Sequence, residues 1–232
     1  MEPAYKKNYM PNLFSWKELE HFINTGVYLN FDKHFRYGFS DVKEDFQLNW
    51  NISPWHLEDN EIPISKFKEF IDTLSVFYFM DCSRVKKEFN AFCAELEELE
   101  GRPFDTHIFV HYKNLEKPHP FGCHYDCQSN VIVQCEGSTH WRVYPKVEHD
   151  ESLTNREIAQ LIADRKLPNT KMTPTEDPII DVILEPGDAI WIPQFYPHHA
   201  ISKEKRISIS FAGYKDLMSN KSFYRDRKWI TL

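Results

Sequence analysis

Two stretches of this sequence carry residue types suited to metal chemistry. One is His124-Tyr125-Asp126, and the other runs from Trp191 to His199 and reads WIPQFYPHH. On an extended strand, side chains two apart point the same way, so His124 and Asp126 project together and Tyr125 turns away. One imidazole and one carboxylate on a common face make two members of a two-His-one-carboxylate triad. Such a triad is the usual cradle of non-haem Fe(II) in oxygenases, because three protein ligands leave positions open on an octahedral ion. The third ligand must arrive from elsewhere in the fold, and His198 and His199 are both candidates.

Bringing such residues together requires strands that face one another. From residue 106 onward, short β-rich runs alternate with turn signals: His107–Lys113, Gly122–Asp126, Asn130–Glu136, His140–Tyr144, Ile179–Leu184, Ala189–Ile192, His199–Ser202 and Ile207–Ala212. Eight short strands with Pro, Gly and Asn between them predict a double-sheet jelly roll or related barrel. Glu136-Gly137-Ser138-Thr139 and Glu185-Pro186-Gly187-Asp188 read as tight turns. Thr154-Asn155-Arg156-Glu157 is a capping box that opens a helical insertion over about 150–167.

The first 105 residues read differently. Ser15-Trp16-Lys17-Glu18 is a capping box, followed by Trp16, Leu19, Phe22 and Ile23 at helical spacing. A helix is expected over 65–75 and a strand from Val76 to Met80. Ser83 to Glu100 is the clearest helix, with Val85, Phe89, Phe92, Leu96 and Leu99 in one stripe and Gly101 with Pro103 at its end. Residues 27–64 hold scattered aromatics and little period. The expected organisation is a helical region, 1–105, packed on a catalytic jelly-roll core, 106–214, with a tail over 215–232.

Composition narrows the function classes. Hydrophobic residues make up 41% of the 232 and aromatics 15%, ample for a bulky, β-rich core. The net charge of −7 argues against tight binding to a phosphate backbone, so nucleic acid is not an expected partner. No stretch approaches 18 uncharged apolar residues, so no membrane span is expected. The N-terminus has no apolar segment of signal-peptide type. Five Cys, an odd number with no C-x-x-C pair, indicate neither a zinc ribbon nor a disulfide framework. They read as small buried hydrophobes of a soluble, cytoplasmic protein.

FGCHYDCQSNVIVQCEGSTHWRVYP, then LEPGDAIWIPQFYPHHAIS and RISISF, resemble the JmjC and cupin-like group of Fe(II)/2-oxoglutarate-dependent oxygenases. Within it, the likeness is to the asparaginyl and ribosomal-protein hydroxylases, over roughly residues 106–214. The resemblance implies a mainly β protein whose core is a double-stranded β-helix, with a helical N-terminal part. It implies His124, Asp126 and His198 as metal ligands and catalytic centre, with His199 turned to the other face as a structural neighbour. Fe(II), 2-oxoglutarate and O2 are the implied cofactors.

The distal carboxylate of 2-oxoglutarate needs a buried cation, and a guanidinium pairs with carboxylate better than any other group. Relatives carry Lys two residues after the hairpin Gly, where this chain has Thr139. Arg206 with Ser208 is the replacement, since Arg-x-Ser at that distance after the last ligand resembles another branch of the superfamily. Thr139 and His140 are secondary choices, and Arg142 a further one. Asn130 matches a polar position near the co-substrate, and Gln134 shares its parity. Trp141, Tyr144 and Trp191 read as core aromatics, while His107 and His111 share a face on the first strand.

The implied activity is hydroxylation of a protein side chain or a small molecule, or demethylation by hydroxylation of an N-methyl group. Residues 27–64, 114–122 and 146–178 are the segments expected to shape the entrance. A non-catalytic ligand-binding cupin and a metal-dependent cupin enzyme without 2-oxoglutarate are the rival classes. The sequence leaves the oligomeric state open, a homodimer included.

Overall fold

A computed structural model describes residues 2–25, 35–38, 76–79, 82–114, 122–126, 128–148 and 173–213. The expected helices at 65–75 and in the 150–167 insertion lie outside the described residues, as do Cys127 and the tail. Ten strands and two helices follow in the order β1 (Ala4–Lys6), α1 (Trp16–Thr25), β2 (Phe35–Gly38), β3 (Val76–Phe79), α2 (Lys87–Glu100), β4 (Phe104–His111), β5 (Ser129–Glu136), β6 (Thr139–Val143), β7 (Ile180–Leu184), β8 (Ala189–Ile192), β9 (His198–Ile201) and β10 (Arg206–Gly213).

The strands form two antiparallel sheets. The larger has the order β1-β8-β5-β10-β4-β3-β2, and the smaller β7-β6-β9. Ile132, Ile190 and Ile192 of the large sheet meet Trp141, Val143 and Leu184 of the small one in a shared apolar cluster. The fold is the mainly β, jelly-roll architecture expected from the alternating runs.

The outer face of the large sheet is covered by the helices. Leu19 and Phe22 of α1 and Phe89, Phe92 and Leu96 of α2 pack with Val131, Val133, Ile207, Ile209 and Phe211. Phe92 and Phe211 meet edge to face at 4.8 Å between ring centres. The capping box at α1 is real: Ser15 N–H donates to the Glu18 carboxylate at 2.9 Å, and Glu18 N–H returns to Ser15 Oγ at 3.3 Å. Gly101 closes α2 in the left-handed conformation, φ 66°, with its N–H on Glu97 O.

Several boundaries differ from the sequence expectation. Residues 83–85 form a turn, and α2 begins only at Lys87. Leu99 is 67% exposed, so the buried stripe ends one turn earlier, at Leu96. Gly122–Asp126 is not a strand but a single bridged residue, His124. The short strand β1 gave no signal in the sequence. It pairs along β8, and the buried Asp188 carboxylate ties it down by accepting from Tyr5 Oη at 2.9 Å and Asn8 N at 2.8 Å.

Candidate active site

The two motif stretches are laced together by backbone. His124 N–H donates to His198 O at 3.1 Å, His198 N–H to His124 O at 2.7 Å, and Phe195 N–H to Asp126 O at 2.8 Å. Phe195 occupies the left-handed region at φ 67°, unfavourable for an aromatic residue. Its buried ring lies 5.9 Å from that of Tyr125. Those contacts hold the strained turn that delivers His198.

Three side chains converge from this framework. One ligand atom each from His124, Asp126 and His198 lies within 4.8 Å of the other two. Asp126 is 3.9 Å from His124 Nε2 and 3.6 Å from His198 Nε2, through different carboxylate oxygens. Each imidazole is oriented by a carbonyl behind it: His124 Nδ1 faces Gly122 O at 3.1 Å and His198 Nδ1 faces Tyr196 O at 2.9 Å. A carbonyl only accepts, so Nδ1 carries the hydrogen and the lone pair falls on Nε2, the nitrogen that faces Asp126. Burial, and then the neighbouring His124, pull the His198 pKa below the ordinary histidine value, while Asp126 opposes them. The ring is neutral at pH 7, the form that binds a metal. His198 is buried, whereas His124 and Asp126 keep about a quarter of their side-chain surface in contact with solvent, 24% and 30%. The cluster therefore opens on one side.

Asn130 sits beside the triad. Its amide Nδ2 donates to Asp126 Oδ2 at 3.0 Å, and its Oδ1 accepts from Ser210 Oγ at 3.1 Å. The carboxylate that this amide meets is thus a triad member. Ser210 belongs to no motif, and its position two past Ser208 on an alternating strand is the one signal for it in the sequence.

A second polar group lies further along the same inner face. Arg206 is 3% exposed. Its guanidinium donates to Ser208 Oγ at 2.6 Å and lies 3.0 and 3.4 Å from the two ring nitrogens of His111, of which a neutral ring offers only one as acceptor. Gln134 Nε2 donates to the carbonyls of Glu136 and Gly137. Its Oε1 therefore receives the hydroxyls of Ser208 at 2.9 Å and Thr139 at 3.0 Å. Among the described residues no carboxylate pairs with Arg206. Burial pulls its pKa down to about 9, and it stays charged at neutral pH. Burial, and then Arg206, hold His111 well below the usual histidine range, so this ring is a neutral partner. Gly137 lets the hairpin approach: at φ 65°, a Cβ there would lie 2.5 Å from Lys205 O.

Of the remaining candidates, His140, Arg142 and His199 face elsewhere, while His107 shares the inner face. His140 and Arg142 project from the outer face of the small sheet, where both contact Asp181, Arg142 at 3.2 Å. His199 is in register with Arg142 on that face. His107 is buried level with Ser210. Burial raises the thiols of Cys123 and Cys135 to about 11 and about 12, so neither is a reactive thiolate.

The JmjC domain family model matches residues 104–220, which takes in both polar groups. The chain belongs to the JmjC family. Among curated relatives, this JmjC chain is 30% identical over 112 residues to the bifunctional lysine-specific demethylase and histidyl-hydroxylase NO66 of Aedes aegypti. That match covers 48% of this chain and 15% of the relative. It is 29% identical over 110 residues to human ribosomal oxygenase 1, covering 47% and 15%. Among solved structures, the Escherichia coli ribosomal oxygenase YcfD in complex with cobalt and 2-oxoglutarate shares the fold. The TM-score is 0.57 at 18% identity, over 96% of this chain and 52% of that one. The JmjC chain therefore spans about half of that solved chain and about 15% of the curated relatives. No helix among the described residues is long and apolar enough to cross a membrane.

Proposed function

We propose that this JmjC chain is an Fe(II)- and 2-oxoglutarate-dependent oxygenase that hydroxylates a protein side chain. Demethylation through hydroxylation of an N-methyl group falls under the same chemistry. The observation that carries the reading is the convergence of His124, Asp126 and His198 ligand atoms within 4.8 Å. The donor set fits a ferrous ion: two imidazoles whose Nε2 atoms face the carboxylate, that carboxylate itself, and an open side for co-substrate and O2. When bound, the iron would couple oxidative decarboxylation of 2-oxoglutarate, giving succinate and CO2, to insertion of oxygen into a C–H bond.

The chain's own residues do the positioning. His124, Asp126 and His198 would hold the metal. Asn130 fixes the Asp126 carboxylate, and Ser210 fixes Asn130. Arg206 is suited to receive the distal carboxylate, since a buried guanidinium without an acidic partner among the described residues favours an anionic ligand. Ser208 and Thr139, ordered by Gln134, line the same end. Asn130 and Gln134 are four residues apart, about 13 Å along an extended strand, which separates the metal end from the anchor end.

The names of the NO66 and ribosomal-oxygenase relatives favour a protein substrate over a free small molecule for this chain. Buried reduced thiols favour a reducing compartment, the cytoplasm. We also propose the division into an N-terminal region, 1–105, that carries both described helices and lends strands β1 to β3 to the large sheet, a catalytic core, 106–214, and a tail, 215–232. The test is anaerobic titration of the Fe(II)-loaded protein with 2-oxoglutarate, followed by succinate formation on admitting O2. A visible charge-transfer absorption that is lost in His124→Ala, together with succinate, is the expected result. No 2-oxoglutarate binding by the loaded protein overturns the oxygenase reading in favour of a cupin of another class.

A further inference from the structure

The small sheet's inner face holds a donor that nothing among the described residues satisfies. Along β6, the residues Thr139, Trp141 and Val143 are buried and alternate with half-exposed His140 and Arg142. Trp141 is 6% exposed, and its indole Nε1 is buried without an acceptor among the described residues. A buried indole N–H ordinarily finds a partner, and an orphan marks a missing water, ion or ligand.

Position says which. Thr139, two residues away on the same face, belongs to the Arg206 group through Gln134. Val143, two residues the other way, is in register with His198. The Trp141 ring itself lies 5.9 Å from the His198 ring, with 36° between the planes. The indole thus stands between the proposed carboxylate anchor and the proposed metal ligands, on the wall along which a bound 2-oxo diacid must extend. Trp191 is the instructive contrast. Its Nε1 is also buried without an acceptor among the described residues, but its ring packs against the helical core on the other face of the large sheet. That donor has no access to the interior.

We propose that Trp141 is a co-substrate-binding residue whose indole N–H donates to an oxygen of bound 2-oxoglutarate. The inference rests on the oxygenase reading above and adds a third donor type to the Arg206 and Ser208 anchor. It requires no proton transfer, because the indole is a donor only.

The test uses the full chain loaded with Zn(II), which is redox-inert, and labelled with 15N at tryptophan. Six Trp give six indole resonances, assigned with Trp141→Phe and Trp191→Phe. Adding 2-oxoglutarate should shift the Trp141 indole proton downfield and leave that of Trp191 in place. Calorimetry should show Trp141→Phe binding 2-oxoglutarate about tenfold more weakly, the scale of one hydrogen bond to a carboxylate. Its Zn(II) affinity should be unchanged, and Trp191→Phe should bind 2-oxoglutarate normally. A wild type that binds 2-oxoglutarate and loses it in Arg206→Ala, yet shows no Trp141 shift, overturns this inference and leaves the oxygenase reading standing. A wild type that binds none overturns both. Should Trp141→Phe not fold, the wild-type spectrum assigned through the other five Trp→Phe variants still decides.

Discussion

Strand β10 is buried on both sides, and its two sides are unlike. Ile207, Ile209 and Phe211 enter the helix-covered apolar cluster. Arg206, Ser208 and Ser210 enter the jelly-roll interior, and each is 3% exposed or less. A strand with one face on a core normally turns polar residues to water. Here the polar face is as dry as the apolar one, and its groups hydrogen-bond to Gln134, His111 and Asn130. The apolar face is what folding needs. The polar face costs stability, because desolvating a guanidinium with no carboxylate among the described residues is unfavourable, and the proposed co-substrate would offset that cost.

The comparison can be broken or sharpened by substitution. The largest effect is expected on the apolar face, where Phe211→Ala should lower the unfolding free energy by about 3–5 kcal/mol, read from urea melts. Arg206→Ala should do the reverse of that pattern. Its stability should be unchanged or raised, while 2-oxoglutarate affinity in the Zn(II)-loaded protein falls by about 2–5 kcal/mol, the loss seen when one partner of a buried charge pair is removed. Equal destabilisation by both variants would erase the distinction between the faces.

Asn130→Ala sits between these two. It leaves Asp126 without its amide donor and should weaken metal binding by about 10–100-fold, measured by competition with a chelator, with little change in melting. Unaltered metal affinity would reduce Asn130 to packing.

A smaller effect concerns pH. The His111 pKa in the folded chain lies below that of the unfolded chain, so between the two the unfolded state holds more protons. Its contribution to stability is intact above about pH 6.5 and declines as pH falls, by at most about 1.4 kcal/mol per pH unit. His111→Gln should flatten that acid limb in part, since His198 is depressed for the same reason. An acid limb of wild-type steepness would show that His111 does not titrate with unfolding. The smallest effect is expected at Leu99→Gln, outside both faces, within about 0.5 kcal/mol of wild type.

Much of this was legible in the residues, though unevenly. The Ser15–Glu18 box, the RISISF alternation and the Gly101 stop are local signals, and they produced the expected elements. His-x-Asp and the later His pair were visible as types and spacing. His124 and Asp126 are neighbours at the site as their spacing implies, but not as strand residues, since only His124 makes a ladder contact there. Phe195 escaped notice, because nothing local announces a left-handed aromatic held by a bond to Asp126 O. His111 could be placed on the inner face by parity, but not beside a guanidinium 95 residues away in sequence.

The sequence by itself determined the periodicities, and hence the sheets, the helices and which residues of each strand share a side. Those properties depend on neighbours two to four positions apart, where backbone geometry alone sets direction. Only the tertiary structure decided what each inward polar group meets: Asn130 the Asp126 carboxylate, Gln134 two hydroxyls, and the Trp141 indole no acceptor among the described residues. Such pairings are fixed by strand register and by the stacking of two sheets, where a shift of one residue would turn every side chain to the opposite face.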